Sequence, residues 1–329
     1  MRRTVLIVLS LMLVLFGVAG CADAVAPPSG GVAQAVTVAL DWTPNINHSG
    51  LYVAQALGYF EEQGLAVNIV EPGETLAPQL VAAGQAQFGI SYQEEATFAR
   101  AQGVPVISLA AVIQHNTSCF ASPKAKGIKT VADFAGKTYG GWGGAVEEGL
   151  INYLMEREGR PNSVQSVVIG EADFFAACDA QVDFSWIYYG VTGIEAQLRE
   201  YPINVIMLKD IDPAFDLYTP VIIAEESWLN ANRDTATRFM DALSAGYRYA
   251  DANPDEAADI LLAAADGQNE ELVRAGQAWM AGQFQGDAPY WGWQDEAIWQ
   301  RFADWLVDCD ILDPGFKAQE AFSNEYLPR

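Results

Sequence analysis

Basic residues are scarce in this chain. Lys and Arg number 18 against 42 Asp and Glu, so the 329 residues carry a formal net charge of −24 with both histidines neutral. Because proteins bind nucleic acid, anionic lipid and polyphosphate through clustered Lys and Arg, this shortage argues against all three as partners. Hydrophobic residues make up 51% of the chain, which is too large a share for a disordered protein. The composition therefore predicts an acidic, aromatic-rich globule, and the length is typical of two domains.

The apolar run at the N-terminus is too short to span a membrane. It covers residues 5–18, whereas a spanning helix needs about 20 residues. Because Arg2 and Arg3 precede it, the run predicts a secretory signal peptide over residues 1–20. The run ends in VAGC, which resembles the bacterial lipobox, so we expect the thiol of Cys21 to be acylated, by palmitate or a similar chain. A buried core cysteine is the alternative.

Residues 21–35 predict a flexible tether behind the acylated cysteine. Small residues dominate ADAVAPPSGGVAQA, which contains paired Pro, paired Gly and no apolar period. A coil of this kind reaches about 20 Å in root-mean-square terms. Since more than one acyl chain anchors a protein stably, we expect a monomeric lipoprotein on the extracytoplasmic face of the cell membrane.

Cysteine is also rare, and those beyond Cys21 form no recognisable framework. Cys119, Cys178 and Cys309 are far apart, and no CxxC motif occurs. Export permits a disulfide, but an odd count leaves at least one thiol free. Two alternatives stay open: three buried thiols, or a disulfide between Cys119 and Cys178.

Strand and helix patterns alternate along the body of the chain. The predicted strands are 36–40, 65–70, 88–91, 104–113, 138–140, 164–169, 182–187, 205–208 and 221–224. The predicted helices are 51–60, 77–83, 94–102, 146–158, 174–180, 192–199 and most of the chain after residue 230. This order predicts an α/β fold of two units, built on mostly parallel sheets with helices on both faces.

Two such units predict two lobes with a ligand cleft between them. We expect the chain to cross near residues 113–120 and 218–224. Lobe 1 then contains residues 36–116 and 221–329, and lobe 2 contains residues 117–220. Ligands of open α/β sheets bind beyond the carboxyl ends of the strands. Those ends face each other across the cleft, which can close around a small molecule.

The segments after these strands combine aromatic rings with amides and carboxylates. A flat, uncharged or weakly cationic heteroaromatic ligand would stack on the rings, while the polar side chains bind its edge. The candidate ligand-binding residues are Trp42, Asn45, Asn47, His48, Tyr92, Glu94, Gln114, Asn116, Trp142, Glu147, Trp186 and Tyr188.

Several of these residues also have a structural interpretation. Trp42 and Trp186 are alternatively core residues between the lobes, and His48 is alternatively a helix-start residue. Glu94 lies in the first turn of a helix, where a carboxylate interacts favourably with the helix dipole. The glycines around Trp142 are alternatively a tight turn, although GGWGG exposes an indole, which is costly unless a partner covers it.

Four segments resemble the family of thiamine-pyrimidine-precursor binding proteins. They are LDWTPNINHSGLYVA, GYFEEQGL, FGISYQEEATFARAQGVPV and the terminal FSNEYLPR. The match covers nearly all of residues 36–329. The resemblance implies a type II periplasmic-binding-protein fold and, in bacteria, an ABC importer whose permease and ATPase subunits are the protein partners. One bacterial branch of the family binds riboflavin, and the sequence is compatible with that branch.

Fungal members of this family are enzymes that make the pyrimidine, so the resemblance also implies an enzymatic alternative. Those enzymes hold pyridoxal phosphate on a lysine after the third strand, use a histidine and carry a cysteine-rich cluster. Here Ser91 occupies the lysine position, His48 matches the histidine and Cys119 stands alone. Because a Schiff base needs the amine, we expect no enzyme and no cofactor. Two isolated histidines also argue against a metal site.

The residues leave two ligands open. Riboflavin needs several aromatic faces and neutral polar groups for its ring edge and ribityl chain, and the candidate set favours it. A thiamine pyrimidine precursor, such as formylaminopyrimidine or hydroxymethylpyrimidine, needs a compact slot and a carboxylate for its amino group. We therefore expect the substrate-binding lipoprotein of an ABC transporter for vitamin uptake, with riboflavin first and the thiamine precursor as the alternative.

Overall fold

The computed structural model describes residues 33–71, 73 and 75–328. The expected signal peptide, Cys21 and most of the tether lie outside this part of the chain. Within it, none of the helices is both long and apolar enough to cross a membrane.

Ten strands form two five-stranded sheets in the described residues. The strands are β1 (Gln34–Ala39), β2 (Leu65–Val70), β3 (Phe88–Ser91), β4 (Val106–Ala111), β5 (Ser118–Pro123), β6 (Thr138–Gly141), β7 (Gln165–Val168), β8 (Phe184–Tyr188), β9 (Ile203–Met207) and β10 (Val221–Glu225). The first sheet has the order β2-β1-β3-β10-β4, and the second has the order β7-β6-β8-β5-β9.

Helices connect most of these strands. Those described are α1 (Ser49–Ala56), α2 (Tyr59–Glu62), α3 (Ala77–Ala82), α4 (Gln93–Ala101), α5 (Ala145–Arg157), α6 (Phe174–Ala180), α7 (Ile194–Leu198), α8 (Leu208–Ile211), α9 (Glu226–Ala231), α10 (Arg233–Ala252), α11 (Pro254–Ala264), α12 (Glu270–Met280) and α13 (Glu296–Asp308). A 3₁₀ turn at Ile46–His48 runs directly into α1, and a π-helical turn at Tyr189–Gly193 runs into α7.

Each sheet contains one strand that runs against the other four. In the first sheet β1 is parallel to β2 and β3, whereas β10 is antiparallel to β3 and β4. In the second, β6 is parallel to β7 and β8, whereas β5 is antiparallel to β8 and β9. The reversed strands, β5 and β10, are the first strands after the chain passes from one sheet to the other. The crossing segments are therefore residues 112–117 and 208–220. The predicted α/β fold with mostly parallel sheets is confirmed.

The sequence pattern does not predict β5, although all six of its residues are buried. SCFASP has no β-branched side chain and ends in Pro, so its intrinsic preference for a strand is low. Pairing with β8 on one edge and β9 on the other makes it a strand. Tertiary contacts, rather than local propensity, determine this element.

Side chains of the first sheet alternate between two helical layers. Along β10, Ile222 and Ala224 belong to the core that includes α1 and α10, whereas Val221 and Ile223 belong to the core that includes α3 and Trp299. This alternation follows from the period of two in a strand. Burial on both faces explains why the central strands are continuous apolar runs.

The last long helix, α13, contacts the cores of both sheets. Phe302, Trp305 and Leu306 are buried with residues of the second sheet, whereas Trp299 is buried with residues of the first. The strands divide between the sheets as the expected lobes divide, but this helix, which we expected in lobe 1, packs on both. The lobe boundaries at residues 116–117 and 220–221 therefore stay a prediction.

Candidate functional site

Aromatic residues from both sheets meet at one cleft. Trp42 follows β1, Tyr92 follows β3, Trp142 follows β6 and Tyr188 ends β8. The rings of Trp42 and Trp142 make an edge-to-face contact with centroids 6.0 Å apart. Because one indole belongs to the first sheet and the other to the second, this contact bridges the cleft at the carboxyl ends of the strands, where α/β sheets bind ligands.

Asp41, which directly precedes Trp42, is held by a completely buried His48. Nε2 of His48 lies 2.7 Å from Oδ1 of Asp41, and Nδ1 accepts a 3.2 Å hydrogen bond from the backbone N–H of Asn45. Since Nδ1 is an acceptor, Nε2 carries the proton that is donated to Asp41. Burial raises the pKa of Asp41, but His48 and the Tyr92 hydroxyl outweigh burial and lower it. His48 therefore positions an ionised Asp41, and both of its ring nitrogens are occupied.

The loop that carries Asp41 and Trp42 is anchored on the helical layer behind it. The hydroxyl of Tyr247, a buried residue of α10, donates a 2.8 Å hydrogen bond to the carbonyl oxygen of Asn47. Asn45 caps the following turn, since its Oδ1 accepts from the N–H of Asn47 and its Nδ2 donates to the carbonyl oxygen of Thr43. Asn45 and Asn47, both predicted to bind ligand, thus shape the loop.

Glu94 and Glu95 bring two carboxylates to the cleft from the first turn of α4. Oε2 of Glu95 accepts a 2.6 Å hydrogen bond from the hydroxyl of Ser91. In contrast, no donor in the described part of the chain is hydrogen bonded to the carboxylate of Glu94. Burial, followed by the charges of Glu95 and Glu147, raises the pKa of Glu94 to about 7. Glu94 is thus a carboxyl group with free hydrogen-bonding capacity.

Tyr92 and Tyr188 place their hydroxyls among these carboxylates. Burial, followed by the charge of Asp41, raises the pKa of Tyr92. Burial of its hydroxyl also raises the pKa of Tyr188, with the Thr219 side chain opposing and the charge of Glu94 adding to the effect. Both phenols are neutral hydrogen-bond donors.

Glu147 holds the glycine-rich loop that carries Trp142. Its Oε2 accepts hydrogen bonds from the backbone N–H of Trp142, at 2.8 Å, and of Gly144, at 3.3 Å, while its Oε1 accepts from the Tyr139 hydroxyl at 2.8 Å. Gly143 has a φ of 77°, a conformation that strongly favours glycine. Trp142 is 58% exposed on this loop. Glu147 therefore positions the indole over the cleft.

Gln114 and Asn116 lie in the first crossing segment and bind other parts of the protein. Nε2 of the buried Gln114 donates to the carbonyl oxygen of Trp293 at 3.3 Å, and its Oε1 has no partner among the described atoms. Nδ2 of Asn116 donates to the carbonyl oxygen of Phe215 at 2.8 Å, while its Oδ1 accepts from Ser118. The structure places both amides in this crossing segment and does not bring them into the aromatic and carboxylate cluster.

Trp186 packs within the second sheet. Its ring contacts that of Phe120 with centroids 6.2 Å apart, and it lies against the core that also contains Phe134 and Phe184. The core interpretation that the sequence left open fits this placement.

The cluster is rich in carboxylates and poor in cationic side chains. In residues 33–71, 73 and 75–328, the hydrogen bond from His48 to Asp41 is the only close contact between a basic side chain and a cleft carboxylate. The same residues contain no group of three or more His, Cys, Asp or Glu suited to a metal ion. The cleft therefore offers aromatic faces, hydrogen-bond acceptors and negative charge.

The three described cysteines are free thiols. Cys119 and Cys178 are buried and Cys309 is half-buried. Burial raises the pKa of Cys119 to about 12. The disulfide between Cys119 and Cys178 is not formed. The alternative of three buried thiols is correct for Cys119 and Cys178 and wrong for Cys309.

Three residues of the cluster are missing from the predicted set. Asp41 and Glu95 adjoin predicted residues at the same strand ends, and this position alone was enough to include them among the candidate site residues. Thr219 lies in the second crossing segment, and only the passage of that segment beside β8 brings it to Tyr188.

A cleft of this kind between two α/β sheets, each with one reversed strand, is typical of the periplasmic binding proteins. The solved periplasmic aliphatic sulphonate binding protein SsuA from Escherichia coli has this fold. It aligns with a TM-score of 0.69 at 15% identity, over 88% of this chain and 91% of that one. The chain has the periplasmic-binding-protein fold, as the sequence resemblance implied.

The chain belongs to the NMT1/THI5-like family, whose model matches residues 45–257. It is 28% identical to the formylaminopyrimidine-binding protein of Halalkalibacterium halodurans, over 96% of this chain and 98% of that protein. It is 26% identical to the riboflavin-binding protein RibY of Chloroflexus aurantiacus, over 92% and 89% of the two chains. Both branches expected from the sequence are thus among its relatives.

Relatives at 22–24% identity include proteins named 4-amino-5-hydroxymethyl-2-methylpyrimidine phosphate synthases. In this chain Ser91, the position expected for the lysine of the enzymes, ends β3 and donates its hydroxyl hydrogen bond to Glu95. A hydroxyl cannot form a Schiff base. The side chain at this position instead supports the carboxylate cluster.

Proposed function

We propose that the protein is the substrate-binding lipoprotein of an ABC importer and captures a 4-aminopyrimidine precursor of thiamine. The observation that carries this proposal is the combination of the Trp42 and Trp142 rings with the free carboxyl of Glu94. The exocyclic amine of such a ligand donates hydrogen bonds, and the cluster is rich in acceptors. The flat ring stacks on an indole, which contributes about 0.5–1.5 kcal/mol beyond the buried area.

Riboflavin is the second candidate, because RibY is a relative and because Trp142 and Tyr188 expose large aromatic surfaces. The sequence favoured riboflavin, and we propose the opposite order. The pyrimidine edge of a flavin presents two carbonyl acceptors and one N–H donor, whereas the carboxylates of the cluster outnumber its two phenol donors. The 6.0 Å contact between the two indoles also favours a compact ligand.

Binding without catalysis is part of the proposal. Both binding-protein relatives align over nearly the whole chain, and Ser91 replaces the amine on which the synthases depend. The partners are a permease and an ATPase, and acylated Cys21 holds the protein at the outer face of the membrane.

Calorimetry with the purified protein tests the ligand. We expect 4-amino-5-hydroxymethyl-2-methylpyrimidine or its formylamino analogue to bind with a Kd in the micromolar range or below, equivalent to about −8 kcal/mol or stronger. Riboflavin, followed by quenching of its fluorescence, should bind at least about tenfold more weakly. Tighter binding of riboflavin would replace the first candidate with the second, and no binding of either would refute the transport ligand class.

A further inference from the structure

We propose that the site binds its heteroaromatic ligand as a monocation, with one proton shared between a ring nitrogen of the ligand and the carboxylate of Glu94. This inference rests on the proposed function, and it specifies the charge state of the substrate. It is based on which of the four cleft carboxylates, Asp41, Glu94, Glu95 and Glu147, accept hydrogen bonds from the protein itself.

Three of the four carboxylates already have donors. Asp41 accepts from His48 at 2.7 Å, Glu95 accepts from Ser91 at 2.6 Å, and Glu147 accepts from Tyr139 and from backbone N–H groups of its loop. Glu94 receives no hydrogen bond from the described residues. Glu94 is half-buried, and its carboxylate keeps its full capacity to accept hydrogen bonds, so it is the group that a donor on the ligand stabilises most.

The surroundings of Glu94 favour a positive partner. Its ionisation is opposed by burial and by the charges of Glu95 and Glu147, and the described Lys and Arg residues form no ion pair with any cleft carboxylate. A cation removes this repulsion, whereas a neutral ring leaves it in place. The half-exposed indoles of Trp42 and Trp142 add a further attraction for a cation through their ring faces.

The shared proton fixes the sign of the pH dependence. In the free protein the pKa of Glu94 is about 7. Well below that value Glu94 and the ring nitrogen both carry protons, and well above it neither does, so the one-proton complex is most stable in between. The titratable neighbours in the cluster are Asp41, Tyr92, Glu95, Glu147 and Tyr188. The tyrosines stay neutral over this range because their pKa values are raised.

Calorimetric titration with 4-amino-5-hydroxymethyl-2-methylpyrimidine between pH 5 and 9 tests the proposal. We expect a bell-shaped affinity profile that falls at least about tenfold from its maximum at each end. Titrations in phosphate and in Tris, which differ in ionisation enthalpy, should report a net proton uptake at alkaline pH. Glu94→Gln should flatten the profile and weaken binding at its maximum at least about tenfold.

Glu148→Gln is the matched control, because Glu148 is an exposed carboxylate on the same helix as Glu147. It should leave both the profile and the affinity unchanged. Glu94→Gln removes a repelled charge, so its melting temperature should equal or exceed that of the parent protein at pH 8. A flat profile in the parent protein, or a bell retained in Glu94→Gln, would overturn proton sharing while leaving the proposed ligand intact. Absence of pyrimidine binding at every pH would overturn both.

Discussion

Trp142 exposes far more of its apolar surface than the tryptophans of the core do. It is 58% exposed, whereas Trp291 and Trp299 are 1% and 0% exposed. Burial of apolar surface stabilises a fold by about 25 cal/mol per Å². Glu147 and the surrounding glycines nevertheless hold this indole away from the core. We propose that a ligand covers this exposed surface.

Replacement of Trp142 separates ligand binding from folding. Trp142→Ala should weaken binding of the aminopyrimidine about tenfold or more, because stacking and buried apolar area are lost together. The melting temperature should change by no more than about 1 °C, since exposed positions contribute little to stability. Calorimetry and thermal melting followed by circular dichroism measure the two effects.

Two further variants control this experiment. Trp142→Phe keeps an aromatic face and should recover most of the affinity. Leu198→Ala shortens a 37% exposed residue at the end of α7 and should change neither property. A large fall in the melting temperature of Trp142→Ala would instead make this residue part of the core.

Which carboxylate is free could not be predicted from the sequence. Trp42, Tyr92, Trp142 and Tyr188 lie at the ends of strands, as the sequence rule predicts, whereas Trp186 lies inside β8 and packs against the core. Glu94 and Glu147, however, both lie in the first turn of a helix, as the second residue of α4 and the third residue of α5. Only Glu147 accepts hydrogen bonds from a tyrosine of the preceding strand and from the N–H groups of a glycine loop. Such contacts depend on the tertiary structure.

At the scale of elements, His115 connects the two crossing segments. Its Nδ1 lies 2.7 Å from Oδ2 of Asp216, in the second crossing segment, and its Nε2 lies 3.0 Å from the exposed Asp287. Oδ1 of Asp216 also accepts from the N–H of Asn116. Burial lowers the pKa of His115, but Asp216 and then Asp287 outweigh burial and raise it. The two crossing segments are therefore joined by an ion pair that needs a protonated histidine.

Alkaline pH should weaken the ion pair between His115 and Asp216. A raised pKa in the folded state gives stability that is fully present below the ordinary value of about 6.5 and is lost as the pH rises through the folded value. His115→Gln should lower the melting temperature by about 2 °C at pH 6, and by less than half of that at pH 9.

The two aspartates provide the comparison for His115. Asp216→Asn should cost at least as much stability as His115→Gln at pH 6, because Asp216 is the more buried partner and also binds Asn116. Asp287→Asn should cost little, since exposed ion pairs contribute little. Identical effects of His115→Gln at pH 6 and pH 9 would contradict the ion pair.

Most elements were predictable because their periodicity is strong. Leu65–Val70, Phe88–Ser91 and Phe174–Ala180 have the predicted bounds. The predicted helix at 192–199 instead begins with the π-helical turn Tyr189–Gly193, which packs on α12 through a ring contact of 5.2 Å between Tyr189 and Trp279. Contacts between distant segments determine this turn, as they determine β5.

At the scale of the molecule, several contacts join the two sheets. Trp42 with Trp142, Tyr189 with Trp279, and the two faces of α13 each connect them. The alternation of strands and helices was sufficient to predict two α/β units and the cleft. The bridging role of α13 was not predictable, because an amphipathic pattern shows that a face is buried but not which partner buries it.

The charge of the whole molecule bears on how it stays at a membrane. Removal of residues 1–20 takes away Arg2 and Arg3, so 16 basic residues remain against 42 acidic ones and the net charge becomes −26. A globule of this charge is repelled by anionic lipid, whereas a protein with a basic cluster beside the membrane is attracted to such lipid. We therefore propose that retention at the membrane depends on acylation of Cys21, which lies outside the described residues. Cys21→Ala should therefore shift the protein from the membrane fraction to the soluble extracytoplasmic fraction, as measured by fractionation and immunoblotting. Cys309→Ala, which changes a half-buried thiol, should leave the distribution unaltered, and full membrane retention of Cys21→Ala would show that another feature anchors the protein.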